Sequence, residues 1–204
     1  MSQGTLRENN KLALFDFDGT LTRKDTMFVF IAFARGHHRL WWSLLVLSPL
    51  LVLTKLGHYS PEAAKKRLLR FHFSGWTAER LQKLGETFCH EHLPRLFRED
   101  ALDKLNFHRS RGHVVYVVTA SLELWVSPWL RLQGIPGICT KVAWVDGKFT
   151  GEFEGANCNG PEKARRIRDC IDLISFDRIY AYGDSKGDRE MFALAHRSFF
   201  RKFK

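Results

Sequence analysis

The chain has 204 residues, of which 45% are hydrophobic and 26% charged, as in an ordinary folded domain. These proportions exclude a disordered, collagen-like or coiled-coil chain. There are 32 lysines and arginines against 22 aspartates and glutamates, a net charge of +10. This balance predicts an anionic partner: a phosphate, a nucleic acid or an acidic lipid.

Two features favour a cytoplasmic location. The four cysteines include no C-x-x-C pair, which indicates reduced thiols and no structural zinc site. The polar segment 1–10 lacks the basic start and apolar run of a signal peptide. We therefore expect a protein of the cytoplasm.

The first predicted elements are a strand and a long helical region. Leu12–Phe15 is an apolar run typical of a strand. Leu40–Thr54 contains no charge, but it is shorter than the roughly 20 residues that span a bilayer. Pro49 interrupts this run and predicts a bend between two helices.

The surroundings of this run leave two interpretations open. The segment 26–61 contains no acid, and Trp41 and Trp42 directly follow Arg39 and Leu40. In one interpretation the helical pair packs its apolar face on a core. In the other, residues 35–58 make peripheral contact with an anionic membrane, at its inner face.

The rest of the chain alternates between helices and strands. Helices are predicted over Pro61–Phe73, from a cap at Thr77 to Cys89, over Pro94–Ser110 and over Gly160–Leu173. Strands are predicted at His113–Val118, Arg178–Tyr182 and Ser198–Phe200. A hairpin is predicted within Cys139–Phe153. This alternation predicts an α/β fold: a doubly wound, Rossmann-like parallel sheet with helices on both faces. In such sheets, ligands bind beyond the carboxyl ends of the strands.

Polar residues, with small residues beside them, follow three predicted strands and begin one predicted helix. They are Asp16, Asp18 and Gly19 after the first strand, Thr119, Ala120 and Ser121 after the second, Asp184 and Asp188 after the third, and Lys163 in a first helical turn. Each group has an ordinary alternative: an Asp-Gly turn, a helix cap at Ser121, or a capping box from Ser185 to Asp188. A lysine in a first turn opposes the helix dipole, so we expect a further role for it.

Together these residue types meet the needs of phosphoryl transfer through an aspartyl phosphate. One carboxylate attacks phosphorus, and a second acid protonates the leaving alkoxide and later activates water. Because phosphate and carboxylates repel each other, a divalent cation is required, and Mg²⁺ suits carboxylate and phosphate oxygens. A hydroxyl and a lysine hold the equatorial phosphoryl oxygens.

Four segments resemble the four motifs of the haloacid dehalogenase-like phosphatase superfamily. They are D-F-D-G-T-L-T at 16–22, V-V-T-A-S at 117–121, the region of Lys163, and Y-G-D-S-K-G-D at 182–188. These motifs extend over nearly the whole chain, and their combination is highly specific. The resemblance implies a Mg²⁺-dependent phosphatase of phosphate monoesters.

The resemblance also implies a role for each residue. Asp16 is the expected nucleophile and a metal ligand, and Asp18 is the expected general acid/base, with its backbone carbonyl on the metal. Asp184 is the third expected metal ligand. The phosphoryl group is expected to be bound by Thr119, Ala120 and Lys163, with Asp188, Ser121 and Gly19 as supporting residues.

The spacing of the motifs predicts where the chain carries one large insertion. Thr119 follows Asp16 by 103 residues, whereas Lys163 follows Thr119 by only 44, so a helical insertion comes after the first motif. The predicted domains are a catalytic core of residues 1–25 and 96–204 and a cap of residues 26–95. This arrangement, with Gly147–Lys163, resembles the branch (subfamily IB) that includes phosphoserine phosphatase and phosphatidylglycerophosphatase C.

Asp25 bears on the substrate. It stands nine residues after Asp16, where phosphoserine phosphatases carry a glutamate, and this difference argues against phosphoserine as the substrate. The apolar cap favours a lipid phosphate such as phosphatidylglycerophosphate. Three alternatives remain open: a phosphatase of a small soluble, phosphoserine-like monoester, a phosphotransferase, and a non-catalytic membrane-binding scaffold. No nucleic-acid motif accompanies the basic tail 197–204, so no nucleic acid is expected as a partner.

Overall fold

The computed structural model describes residues Asn10–Phe203. The expected absence of a signal peptide concerns residues 1–10, which lie outside the described range except for Asn10. Lys204, the end of the basic tail, also lies outside it.

In the described residues, six strands form one sheet in the order β4-β3-β2-β1-β5-β6. They are β1 Lys11–Phe15, β2 Val114–Leu122, β3 Gly137–Val145, β4 Lys148–Glu154, β5 Arg178–Gly183 and β6 Arg197–Phe200. Strand β4 pairs antiparallel with β3 at one edge, and all other pairs are parallel.

Helices cover both faces of this sheet. They are α1 Thr26–Arg35, α2 His37–Val46, α3 Ser48–Lys55, α4 Pro61–Phe73, α5 Ala78–Glu91, α6 Glu99–Ser110, α7 Glu123–Gln133, α8 Pro161–Cys170 and α9 Arg189–Phe192. On one face α8 and α9 contribute Ile167 and Met191 to the core. On the other face α6 and α7 contribute Leu105 and Trp125. The predicted α/β class with a mostly parallel sheet is therefore confirmed.

Strand β1 lies at the centre of the sheet. Its last four residues, Leu12–Phe15, are fully buried. Leu12 and Leu14 join the core beneath α8 and α9, whereas Ala13 and Phe15 join the core on the opposite face. A strand buried on both faces has an unbroken apolar run, which is the pattern seen in the sequence.

Most predicted strands and helix starts are confirmed. Ser60 and Thr77 cap α4 and α5, because their side-chain oxygens accept backbone N–H groups of the first turn. The β3–β4 hairpin turns at Asp146 and Gly147, whose φ angles of 48° and 70° fit the two-residue turn that the Asp-Gly pair predicts.

The prediction of a helix over Pro94–Ser110 is wrong at its first residues. Leu93–Leu96 forms a 3₁₀ turn, and α6 begins only at Glu99. Between them Phe97 is extended, because it forms an antiparallel bridge with Thr22. This tertiary pairing overrides the local helical pattern.

The helix predicted over Gly160–Leu173 also ends early. Helix α8 stops at Cys170. Asp172 then caps a separate 3₁₀ turn, Leu173–Ser175, by accepting the backbone N–H of Ile174 at 3.3 Å.

Helices α1–α5 all lie between β1 and β2 in the chain, and the two ends of this insertion run side by side. The Arg23 N–H donates to the Leu96 carbonyl at 2.7 Å, and the Arg98 N–H donates to the Leu21 carbonyl at 2.9 Å. The boundary of the cap at 26–95 stays a prediction, and this pairing supports it.

Helices α2 and α3 are the bent pair that Pro49 predicts. The break falls at Leu47, directly before Ser48 and Pro49. Only Leu40, Ser43 and Leu47 of this pair are buried. Seven large apolar side chains stay exposed: Trp41, Trp42, Leu45, Val46, Val52, Leu53 and Leu56. The interpretation of a core-packed apolar face therefore holds for part of the pair only.

No helix in Asn10–Phe203 has both the length and the hydropathy needed to cross a membrane.

Helix α5 approaches α7 closely through Gly85. A Cβ atom at this position would collide with the backbone carbonyl of Leu124. Gly85 is therefore required by packing, although glycine in a helix interior is about 1 kcal/mol less favourable than alanine.

We expect Gly85→Ala to lower the free energy of unfolding by about 1–3 kcal/mol, because the collision involves backbone that cannot rotate away. Urea denaturation measures this change. Gln82→Ala, at an exposed position of the same helix, serves as the control and should change stability by less than about 0.5 kcal/mol. A Gly85→Ala protein more stable than wild type would contradict the close packing.

Candidate active site

The loop after β1 carries the first two acids. The Asp16 N–H donates to the Tyr182 carbonyl at 2.9 Å, which joins the ends of β1 and β5. Gly19 has a φ angle of +76°, and a Cβ there would collide with the carboxylate of Asp184. Glycine at this position therefore lets the β1 loop pass directly against the β5 loop, which supports the role predicted for Gly19.

Asp18 is held by two donors. One carboxylate oxygen accepts the Thr26 backbone N–H at 2.8 Å, and the other accepts the hydroxyl of Ser121. The Thr26 hydroxyl lies 3.1 Å from that of Ser121 and accepts the indole N–H of Trp125 at 2.9 Å. The start of α1 and the end of β2 therefore orient this carboxylate together.

The helix cap predicted at Ser121 is not present. Strand β2 continues to Leu122, and α7 begins at Glu123 without a side-chain cap. The Ser121 hydroxyl instead contacts Asp18, and its N–H donates to the Thr119 hydroxyl oxygen at 3.0 Å.

The loop after β5 is organised by Asp188. One of its oxygens accepts the N–H groups of Asp184 and Ser185, at 3.2 and 3.0 Å, and the hydroxyl of Ser185 at 3.0 Å. The capping box from Ser185 to Asp188 is therefore confirmed. Gly183 leaves no room for a Cβ beside Asp188, so the strand end and the loop are in close contact.

Lys163 links the two loops from the first turn of α8. Its ammonium donates to Asp16 at 2.7 Å and to the other oxygen of Asp188 at 2.6 Å, and only 1% of the lysine is exposed. Burial lowers the pKa of Lys163, but the two carboxylates outweigh this effect and raise the pKa above its ordinary value. The lysine is therefore charged, as an anion-binding role requires.

The site holds an excess of negative charge. Burial raises the pKa of Asp16 to about 7, although Lys163 opposes this shift. Burial and the charge of Asp188 also raise the pKa of Asp184. One lysine does not neutralise these acids, so the arrangement favours a further cation.

The donor set fits a hard divalent cation. One carboxylate oxygen from each of Asp16, Asp184 and Asp188 lies within 4.8 Å of the others. Carboxylate oxygens are the ligands that Mg²⁺ takes in proteins. Both oxygens of Asp188 already accept hydrogen bonds, which suits its predicted supporting role. Within residues 10–203, no hydrogen-bond donor contacts the second Asp16 oxygen or the Asp184 carboxylate.

The side chain of Asp18 is not part of this carboxylate group. Its two oxygens face Thr26 and Ser121 instead. The metal role that the resemblance implies for Asp18 uses its backbone carbonyl, which these side-chain contacts leave free.

A cavity of about 520 Å³ lies over these residues. Its floor is polar and includes Thr119, Ala120 and Lys163, so the three predicted phosphate-binding residues meet at one place. Its roof is mostly apolar and is formed by helices of the insertion: Met27, Phe28, Leu51, Ala64 and Leu68.

Asp25 also lines this cavity. Its carboxylate accepts the Met27 N–H at 2.9 Å and so caps α1. Loss of hydration in the cavity, together with the nearby charge of Asp18, raises the pKa of Asp25 to about 6. The residue predicted to affect specificity is therefore at the site, where it also has a structural role.

Lys65 is a cavity residue that the sequence did not single out. It extends from α4 and donates to the Ala120 carbonyl at 2.6 Å and to the Asn157 side chain at 3.1 Å. Burial lowers its pKa, against the attraction of Asp18 and Asp25. Nothing in the local pattern of α4 distinguishes Lys65 from Lys66, so only the fold identifies it.

The chain matches known proteins over most of its length. A model of the haloacid dehalogenase-like hydrolase family matches residues 13–193. The protein CicA of Caulobacter vibrioides is 31% identical over 205 residues, which cover 98% of this chain and 90% of that protein. A probable phosphatase of Mycobacterium tuberculosis is 28% identical, over 96% of this chain and 70% of its own length.

Solved structures share the fold. A protein of unknown function from Bordetella pertussis superposes with a TM-score of 0.78 at 24% identity, over 94% of this chain and 90% of that one. A phospho-aspartyl intermediate analogue of phosphoserine phosphatase superposes with a TM-score of 0.66 at 23% identity, over 95% and 87% of the two chains. The family match and the buried acids at the strand ends agree, and the chain belongs to the haloacid dehalogenase-like hydrolases, as a hydrolase of phosphoric monoesters.

Proposed function

We propose that this phosphatase depends on Mg²⁺, forms a phospho-aspartate at Asp16, and acts on a lipid phosphate. The observation that carries the mechanism is the buried contact of Lys163 with Asp16 and Asp188 beneath a cavity whose roof is apolar. The core of residues 1–25 and 96–204 supplies the chemistry, and the cap of residues 26–95 selects the substrate.

Asp16 acts as the nucleophile. Lys163 holds one of its oxygens, so the other is directed toward the cavity and attacks phosphorus. The ammonium also reduces the repulsion between this carboxylate and the incoming phosphate dianion. Asp188 keeps the lysine in place from the opposite side.

Asp16, Asp184 and the backbone carbonyl of Asp18 would hold Mg²⁺, with Asp188 in support. The cation supplies charge neutralisation for the carboxylates and the phosphoryl oxygens when it is bound.

Thr119, Ala120 and Lys163 bind the phosphoryl oxygens. The Thr119 hydroxyl oxygen accepts the Ser121 N–H, so its own hydrogen is free to be donated to a phosphoryl oxygen. Donors fixed in this way by the end of β2 need no rearrangement when charge spreads over the equatorial oxygens.

Asp18 acts as the general acid and then as the general base. Its two donors, Thr26 and Ser121, orient the carboxylate beside the cavity. In the first step it gives a proton to the leaving alkoxide, and in the second it takes a proton from the water that hydrolyses the phospho-aspartate. The retention of every one of these acids argues against a non-catalytic scaffold.

The cavity favours a substrate with a hydrophobic part. Its roof is mostly apolar, whereas Arg23 and Lys24 place exposed cations beside it. A monoester that joins an anionic headgroup to a hydrocarbon chain matches both features. Phosphatidylglycerophosphate is one lipid of this kind, and a small soluble monoester would leave the apolar roof without a partner.

The exposed surface of α2 and α3 supports peripheral contact with an anionic membrane, at its cytoplasmic face. Trp41 and Trp42 are 68% and 61% exposed, and the segment 26–61 contains no acid that would repel such a surface. Arg39 and Lys55 are exposed on the same pair of helices. This surface would bring the cavity to the lipid.

We expect Asp16→Asn to abolish Mg²⁺-dependent phosphate release, because an amide is not a nucleophile toward phosphorus. Asp18→Asn should do the same through loss of the proton donor. Phosphate release from lipid phosphates in micelles, phosphoserine, sugar phosphates and nucleotides measures the effect, with circular dichroism as the test of folding.

The matched control is Asp103→Asn, which changes an exposed aspartate on α6 and should leave turnover unchanged. Full activity in Asp16→Asn would exclude the phospho-aspartate. A preference for soluble esters would remove the lipid from the proposal, and transfer of phosphate to an added alcohol faster than to water would make the protein a phosphotransferase.

We expect Lys163→Met to reduce kcat/KM sharply and to lower the free energy of unfolding by about 3–5 kcal/mol, because two buried carboxylates lose their cation. Arg165→Ala is the control. Arg165 is exposed and pairs with Glu162 and Asp169, so its loss should cost less than about 1 kcal/mol and little activity. Activity lost in Arg165→Ala and kept in Lys163→Met would assign phosphate binding to the arginine instead.

We expect the protein to cosediment with vesicles that contain phosphatidylglycerol and to bind vesicles of phosphatidylcholine alone more weakly. Arg39→Ala should weaken binding to the anionic vesicles about fivefold, since a cation near such a surface contributes about 1 kcal/mol. Ile174→Ala, an exposed apolar residue outside segment 35–58, is the control. Equal binding of both vesicle types would exclude an anionic docking surface.

A further inference from the structure

A second cavity of about 260 Å³ lies between α1 and α2. Its walls are Lys24, Phe28, Val29, Ala32, Phe33, His37, Leu40, Trp41 and His92. Most of this surface is hydrocarbon, and we call it the α1–α2 groove. An apolar cavity of only about 150 Å³ is enough to take up benzene, so this groove has room for a short alkyl chain.

The α1–α2 groove adjoins the catalytic cavity. Lys24 and Phe28 line both of them, so the two spaces meet at these side chains. Lys24 is exposed and cationic, and Phe28 is half-buried. A ligand that passes this junction therefore leaves a polar site beside a cation and enters a site walled by aliphatic and aromatic carbon.

One wall of the groove belongs to the exposed surface of α2. Trp41 forms part of the groove wall and is itself 68% exposed. The groove therefore borders the surface of α2 on which Trp42 and Leu45 are also exposed. This surface is the side from which hydrocarbon would come if it lies on a membrane.

We propose that the α1–α2 groove binds an alkyl chain of the substrate while the phosphate group lies at Asp16. The inference rests on the proposed function, which it deepens by assigning a separate site to the hydrophobic part of the monoester. The shared residues of the two adjoining cavities, the cation beside both of them and the hydrocarbon walls of the groove argue for one occupant with a charged head and an apolar chain. A peptide or a second copy of this chain would require a partner for each backbone polar group, and in these walls only Lys24, His37 and His92 carry polar side chains.

Binding of straight-chain alkyl phosphates tests the inference without turnover. Ethyl, butyl, hexyl and octyl phosphate, each below its micelle concentration, are titrated into the Asp16→Asn protein with Mg²⁺ in a calorimeter. We expect Kd to fall with chain length, by at most about fourfold per added methylene, until the groove is filled. The heat-capacity change of binding should become more negative along the series, because apolar surface is buried.

A blocked groove gives the matched comparison. Val29→Trp, in the Asp16→Asn background, fills the groove and should make the Kd of octyl phosphate equal to that of ethyl phosphate. Val145→Trp makes the same substitution at an exposed strand end that lines neither cavity, and it should keep the length dependence. Should Val29→Trp fail to fold, Trp41→Ala removes an exposed wall of the groove and should weaken octyl phosphate binding several-fold more than ethyl phosphate binding.

The outcomes separate this inference from the proposed function. Two results would overturn the proposal that the groove binds an alkyl chain: a Kd that does not change with chain length, or a length dependence that survives Val29→Trp. Either result would do so even if wild-type protein hydrolyses the same esters. A length dependence abolished by Val29→Trp supports the groove even if wild-type protein releases no phosphate from any ester, in which case the proposed function alone fails.

Discussion

The contact of Lys163 with Asp16 and Asp188 is the constraint on which the rest of the site depends. Three buried charges are stable together only if the charged groups lie close to one another and their remaining polar atoms are hydrogen-bonded. Both distances are below 2.8 Å, and Asp188 uses its second oxygen to hold the loop after β5. Because the three residues come from the β1 loop, the first turn of α8 and the β5 loop, this network joins α8 to the ends of the neighbouring strands β1 and β5.

A second network attaches the inserted helices to the catalytic residues. Thr26, at the first position of α1, contacts both Asp18 and Ser121, and Trp125 of α7 fixes the Thr26 hydroxyl. The carboxylate of Asp18, the proposed general acid, is therefore oriented jointly by the core and by the first helix of the insertion. The close approach of α5 to α7 at Gly85 reinforces the same contact between the two regions. The inserted helices, which we propose select the substrate, are thus physically connected to the proposed proton donor.

Much of the site was predictable because its residues lie next to strong local signals. Asp16 and Asp18 follow an unbroken apolar strand, and Asp184 follows another, so the parallel sheet had to bring their loops to one edge. The structure differs where a distant partner overrides a local pattern. Ser121 has the residue type of a helix cap but bonds Asp18, and Phe97 breaks a helical pattern to pair with Thr22.

The sequence by itself determined the α/β class and the acids at the strand ends, because each apolar run and the polar residues that follow it are neighbours in the chain. The family followed from the resemblance of four short motifs. Only the tertiary structure decided that Lys65 reaches Ala120 and that Lys24 and Phe28 separate two cavities. It also decided which side of α2 stays exposed. These features depend on how helices far apart in the chain pack together, and a uniformly apolar run such as Leu40–Thr54 contains no signal that distinguishes a buried face from an exposed one.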